Sequence, residues 1–177
     1  RYEKKFLINH IQEKKLKNKI KNIFKIDKNV KNETGYYCIS IYFDTFNLDL
    51  MNEKIEGLTN RKKIRVRTYL NSLNEKPKKW NIEIKIKENS TVYKKKREIS
   101  NDDLLNHLNN KNFYGLLKNF SNTLNQVYVP TFVTFYFREA YESKIFSNCR
   151  ITIDQKIICN KYTKNFMEKI KQDRNYS

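Results

Sequence analysis

The sequence predicts an α+β fold in which an antiparallel β-sheet closes on itself as a barrel, with a polar, charged lumen and helices packed outside. Three observations predict it. Strand after strand alternates a charged face with an apolar one: in residues 61–69, "RKKIRVRTY", Lys63, Arg65, Arg67 and Tyr69 alternate with Ile64, Val66 and Thr68. Helical periods lie between such strands, so helices can cover the apolar side. The arginines are selective: only 8, against 29 lysines, and most sit in strand-like segments. A planar guanidinium forks onto phosphate oxygens as an ammonium does not. An open sheet with helices on one side and charges in water fits the alternation equally well. A solvated face has no preference for arginine, however, so their placement favours an inward-facing lumen. A ring of inward cations needs a counter-ion: a phosphate chain, with acidic residues and any metal they hold.

The elements follow in order. "RYEKKFLI" alternates and predicts an opening strand. Asn9 with Gln12 three residues on forms a capping box for a helix whose apolar stripe is Leu16, Ile20, Ile23 and Phe24. Thr34 and Gly35 mark a turn, and "YYCISIYFDT" at 36–45 is aromatic and β-branched, a strand. "FNLDLMNEKIEG" predicts a short helix stopped by Gly57. After the 61–70 strand and a polar loop with Pro77, "WNIEIKIKE" and "TVYKKKREI" read as a hairpin turned at Asn89 and Ser90. Residues 100–127 are helical in pattern, capped by Ser100 with Asp103 and broken near Asn110 and Gly115. "VPTFVTFYFREAYES" is a strand with Tyr136 and Arg138 on one face and Phe135 and Phe137 on the other. "CRITIDQKI" sets Arg150, Thr152 and Asp154 against Ile151 and Ile153, and the polar tail from Asn160 is helical. No repeat or linker interrupts the 177 residues, so one domain over 1–177 is expected.

Charge bounds the partner. Lys plus Arg is 37 against 19 for Asp plus Glu, a net charge of +18. That excess asks for a polyanion: nucleic acid, an anionic membrane surface or a phosphate compound. Twelve tyrosines would suit stacking on single-stranded bases. Most of them lie in strand interiors, however, and the Glu/Lys alternation argues for a mixed-sign lumen over a uniformly basic groove. No run is long and apolar enough to span a bilayer. Residues 10–28 come nearest to a membrane-surface helix, but their apolar stripe is better used covering the barrel. Cys38, Cys149 and Cys159 lack metal-ligand spacing and read as reduced thiols of a cytoplasmic protein.

Six segments, "RYEKKFLI", "SIYFDTFNLDL", "RKKIRVRTY", "IEIKIKENSTVYKKKREI", "YFREAY" and "RITIDQKI", resemble in this order the VTC (vacuolar transporter chaperone) domain. That is the polyphosphate polymerase branch of the triphosphate tunnel metalloenzymes, relatives of the CYTH phosphatases. The resemblance implies a closed barrel that binds triphosphate or polyphosphate in its tunnel. Residue by residue, it carries the family's opening Glu-x-Lys onto Glu3 and Lys5, with Arg1 where many relatives have a further acidic residue. It carries Arg-x-Arg onto Arg65 and Arg67, the second Glu-x-Lys onto Glu83 and Lys85, and Lys-x-Arg onto Lys95 and Arg97, where the lysine run leaves the register open by one residue. Tyr136, Arg138, Arg150 and Asp154 match the remaining strands.

The resemblance makes Lys5, Arg65, Arg67, Lys85, Lys95, Arg97, Tyr136, Arg138 and Arg150 phosphate ligands. Among them Arg65, Arg67, Lys85, Arg138 and Arg150 would be catalytic. Glu3 and Glu83 would hold a divalent metal, magnesium or manganese. Phosphoryl transfer from a nucleoside triphosphate such as ATP to a phosphate chain would make a polymerase, and transfer to water a phosphohydrolase. A non-catalytic polyphosphate-binding module is the alternative. The family's later Glu-x-Lys strand and its helix with Ser-Lys-Tyr or Ser-Lys-Phe are not found here. If the native chain ends here, the barrel is expected to want its closing strand; if the sequence is a fragment, those elements lie outside it. Either way catalysis is more in question than fold or phosphate binding.

Overall fold

The computed structural model describes residues 3–174 apart from 29, 31–33, 121–123 and 125, with backbone only at 119 and 171–174. Expectations for Arg1 and Tyr2 lie outside these residues. Among the described residues seven antiparallel strands form one sheet: β1 (Phe24–Ile26), β2 (Tyr36–Asp44), β3 (Arg61–Leu70), β4 (Lys79–Glu88), β5 (Thr91–Ser100), β6 (Val129–Ser143) and β7 (Arg150–Lys161). β6 is the longest strand. One of its edges takes β2 along Val129–Arg138 and β1 along Tyr141–Ser143, and the other takes β7. From there the sheet runs β2-β3-β4-β5. It curls strongly, a half-barrel turning through 238°. Among the described residues no ladder joins β5 to β7, so the curl stops short of the closed barrel that the sequence predicts.

Alternation sorts the two faces. Ile39 and Ile41 of β2, Ile64 and Val66 of β3, Trp80, Ile82 and Ile84 of β4, and Phe135 of β6 are at most 1 % exposed and form one apolar cluster. The helices cover this side. These are α2 (Asp49–Ile55), α3 (Asn101–Asn109), α4 (Phe113–Leu117) and α5 (Phe166–Arg174), with Leu50, Leu104, Leu108, Leu116, Leu117, Phe166 and Ile170 joining the cluster. α1 (His10–Ile20) is tied by Lys17 to Glu139 and by Glu13 to Gln155, both on the helix-covered side of β6 and β7.

Local chemistry sets the boundaries. The Asn9–Gln12 capping box starts α1, and Ser100 Oγ accepts from the Asp103 amide at α3. Asp44 ends β2 and accepts from the Thr45, Leu50 and Met51 amides, so a buried carboxylate holds the start of α2. Gly57, at φ 72, follows α2 as expected. Gly35 could carry no side chain: an added Cβ would lie 2.5 Å from the Arg138 carbonyl oxygen. That closeness lets β2 run directly beside the stretch of β6 that carries Tyr136 and Arg138.

Three expectations need correction. Residues 3–8 join no ladder; Phe6 and Leu7 are 78 % and 102 % exposed. Alternation marks a chain able to be a strand, but a strand also needs an edge to pair with. α1 ends at Ile20, and Phe24 begins the three-residue β1, so the apolar stripe spans a helix and a strand. The break in 100–127 falls near Asn110 as expected, between Asn109 and Phe113, whereas Gly115 lies inside α4, where the Asn112 side chain caps its amide.

Candidate functional site

The uncovered face of the sheet gathers the charges. Side chains directly opposite in an antiparallel ladder share a face. Tyr42 lies opposite Arg65, Ser40 opposite Arg67 and Cys38 opposite Tyr69. Across β4, Lys63 meets Lys85, Arg65 meets Glu83 and Arg67 meets Asn81. Across β6, Tyr36 meets Arg138, Cys38 meets Tyr136 and Ser40 meets Thr134; Arg138 then meets Asp154, and Glu142 meets Arg150. Arg65, Arg67, Lys85, Tyr136, Arg138 and Arg150 therefore share one face across five strands. No helix packs over it among the described residues, yet Ser40, Arg67, Asn81 and Glu83 are all buried. Polar side chains on an uncovered face become buried only by burying one another, which the curl achieves.

Internal counter-ions hold most of the guanidinium groups. Arg65 donates from Nε to Glu83 Oε2 at 2.7 Å, and the Lys94 ammonium contacts Glu83 Oε1 at 2.9 Å. Burial alone would raise the Glu83 carboxyl, but Lys94 and Arg65 outweigh it and hold the pKa below the ordinary value. Arg138 makes a two-pronged contact with Asp154 at 2.6 and 2.7 Å. Arg150 meets Asp27 at 2.9 Å and donates to the Tyr36 hydroxyl at 3.3 Å. Aromatic faces complete the lining: the Arg138 guanidinium sits 5.1 Å and that of Arg67 5.9 Å from the Tyr136 ring centre, and Lys63 Nζ sits 4.7 Å from that of Tyr42. Burial raises the Tyr42 phenol, but Lys63, Arg65 and Arg67 overcome it and bring its pKa down to about 8.

The register decides which face each β5 residue takes. Lys95 stands opposite Ile84 and Arg97 opposite Ile82, on the apolar side, whereas Lys94 faces Lys85 and Lys96 faces Glu83. The lysine run hides the parity, and Trp80 opposite Ile99 fixes it. Lys5 and Glu3 lie in the exposed opening segment; Lys5 is near enough to Lys63 for its charge to act there. Sequence reasoning missed Asp27, Asn81, Thr134 and Lys94. Asp27, the lone acid in "KIDKN", carried a signal; the uncharged pair carried none.

The same geometry tests the expected metal. Both Glu83 oxygens are engaged by cations, Glu3 lies in the exposed opening segment, and no cluster of three acidic, histidine or cysteine side chains forms among the described residues. The arrangement fits a carboxylate acting as counter-ion and does not fit a divalent-metal site. The three cysteines are unpaired. No helix among the described residues is long and apolar enough to cross a membrane.

The family model for the VTC domain matches residues 1–177. The chain belongs to the VTC domain family. No curated protein matches the sequence. Membership in the VTC family is consistent with a polyphosphate-related tunnel fold and agrees with the charge pattern.

Proposed function

We propose that this VTC domain binds an inorganic polyphosphate or triphosphate chain along its charged face, inside a tunnel that the half-barrel forms when its open side is closed. The observation that carries this reading is the shared face of Arg65, Arg67, Lys85, Arg138 and Arg150 on an uncovered, self-burying sheet. A phosphate chain presents regularly spaced anionic oxygens, which suits cations repeated at every second residue along several strands. Glu83, Asp154 and Asp27 hold the guanidinium groups in position until phosphate oxygens replace the carboxylates as partners. Lys94 and Lys96 take the part first assigned to Lys95 and Arg97.

Membership in the VTC family supports phosphoryl transfer from a nucleoside triphosphate to the growing chain as the activity, with the triphosphate phosphohydrolase and the binding-only module as alternatives. In such a reaction these residues would neutralise non-bridging oxygens and align donor with acceptor, where charge stabilisation and positioning do most of the work. The carboxylates among the described residues assemble no metal site, so the charge stabilisation falls to these cations. Calorimetry with orthophosphate, pyrophosphate, tripolyphosphate and long polyphosphate tests the binding. Affinity should rise steeply with chain length, and Arg138→Ala should weaken tripolyphosphate binding by about 1.5–3 kcal/mol. Equal affinity for orthophosphate and tripolyphosphate would overturn the reading, as would tighter binding of a single-stranded oligonucleotide. Polyphosphate made from ATP in a coupled assay would support the polymerase; orthophosphate release without chain growth would support the hydrolase.

A further inference from the structure

Besides Arg61, at the start of β3, whose guanidinium donates to the Leu58 carbonyl, four arginines stand on the charged face, and three have carboxylate partners: Arg65 with Glu83, Arg138 with Asp154 and Arg150 with Asp27. The fourth, Arg67, is the most deeply buried at 5 % exposure, and no carboxylate lies within ion-pair distance of it among the described residues. Its Nε donates to Ser40 Oγ at 2.7 Å and its side chain also hydrogen-bonds that of Tyr69, both of them partners other than carboxylates. A guanidinium removed from water without an anion is costly.

The same part of the face holds two more unsatisfied groups. Asn81 Oδ1 and Thr134 Oγ1 are buried without a hydrogen-bond partner. Both belong to one row across the sheet: Asn81 is opposite Arg67, Arg67 opposite Ser40, and Ser40 opposite Thr134. Asn81 is 8 % exposed and Ser40 fully buried. Buried polar groups are nearly always paired. The Thr134 hydroxyl and the Arg67 guanidinium can both donate and point to a missing anionic acceptor, while the Asn81 carbonyl, itself an acceptor, asks for a donor such as that guanidinium. The bond to Ser40 and the approach to the Tyr136 ring show the Arg67 guanidinium leaning over β2 toward β6, the strand that carries Thr134.

We infer that the row Asn81–Arg67–Ser40–Thr134 is the seat of a single phosphoryl group, with Arg67 supplying the charge and the Thr134 hydroxyl and Asn81 amide supplying neutral donors. The inference rests on the polyphosphate reading and deepens it. At Arg65, Arg138 and Arg150 a phosphate must displace a carboxylate; at Arg67 it displaces none. The seat therefore anchors the chain and fixes where successive phosphates meet the other arginines. Asn81 can turn its carbonyl to the guanidinium while its amino group donates to the anion.

Two near-isosteric variants of the full chain test this against wild type and Arg138→Ala, with tripolyphosphate as the probe in calorimetry and thermal melts of the ligand-free protein as the second readout. Thr134→Val removes an unpaired hydroxyl and keeps its shape. It should weaken tripolyphosphate binding about tenfold or more while leaving the ligand-free Tm equal or higher. Asn81→Asp gives Arg67 an internal carboxylate. It should raise the ligand-free Tm and weaken tripolyphosphate binding further than Thr134→Val does. Wild-type affinity in both variants, with Arg138→Ala weakened, would overturn the seat and leave the polyphosphate reading standing. A Tm that falls in Thr134→Val together with affinity would also overturn it, because the hydroxyl would then be serving the fold. Failure of the wild type itself to bind tripolyphosphate would overturn the reading on which the seat rests.

Discussion

At the scale of single residues, the charged face reads as a titration problem with a defined sign. Tyr42 is a phenol beside Lys63, Arg65 and Arg67. Burial pushes its pKa up, and the cations pull it down further, from 10.0 to about 8. A phenol whose pKa falls on folding has lost its proton in the folded chain while the unfolded chain still holds it. Stability should therefore rise with pH between about 8 and 10. This contribution is fully present above the ordinary value and lost as pH falls through about 8. Polyphosphate on the same face competes for the same cations, so it should move the phenol back up. Ultraviolet difference titration should find one tyrosine ionising near 8, absent in Tyr42→Phe and shifted upward by tripolyphosphate. If no phenol titrates early, the cations do not converge on Tyr42 as the structure has them. Residue types carried the candidate site a long way: Arg65, Arg67, Lys85, Tyr136, Arg138 and Arg150 were legible because charge repeats with strand period. Asn81 and Thr134 were not, because an uncharged side chain shows its role only through what its neighbours leave unpaired.

At the scale of elements, alternation gave strand existence and face but not always register. β3 and β6 were legible because their charged and apolar positions are unlike. The β4–β5 hairpin was legible from its turn, where Asn89 adopts φ 53. In β5 the run Lys94, Lys95, Lys96, Arg97 offers no contrast between faces, so the sequence left the pairing open by one residue; Trp80 opposite Ile99 closes it. A one-residue slip exchanges every side chain between faces, which makes the register a sharp prediction. Lys94→Ala should weaken tripolyphosphate binding several-fold and free Glu83 from one of its two cations. Lys95→Ala, on the helix side, should change binding by less than about twofold, as expected for a surface substitution away from the site. The reverse order of effects, measured by calorimetry at one ionic strength, would show the strand slipped by one residue. The opening segment failed as a strand for a different reason: period alone does not supply an edge, and residues 3–8 have no ladder partner here.

At the scale of the whole molecule, the sheet's shape and its charge belong to one argument. Net charge of +18 makes the folded chain repel itself, and the strand register lines up part of that charge on one face. The carboxylates of Glu83, Asp154 and Asp27 offset part of it locally. A polyanion that spans the face would offset far more, and only in the folded state where the strands line up their cations. Binding to the folded chain alone adds about 2.7 kcal/mol of stability at a ligand concentration near 100 times Kd. At about 2–4 °C per kcal/mol for a chain of this size, Tm should rise by roughly 5–10 °C. The comparison that isolates spanning from screening is orthophosphate against tripolyphosphate at matched ionic strength and matched total phosphorus. Screening depends on ionic strength alone and would raise Tm equally in both. A chain that bridges several arginines gains from each contact after paying once for association, so tripolyphosphate should raise Tm by several degrees more. Equal shifts would mean that the face is a diffuse basic surface and that the order of its arginines along the strands has no bearing on what it binds.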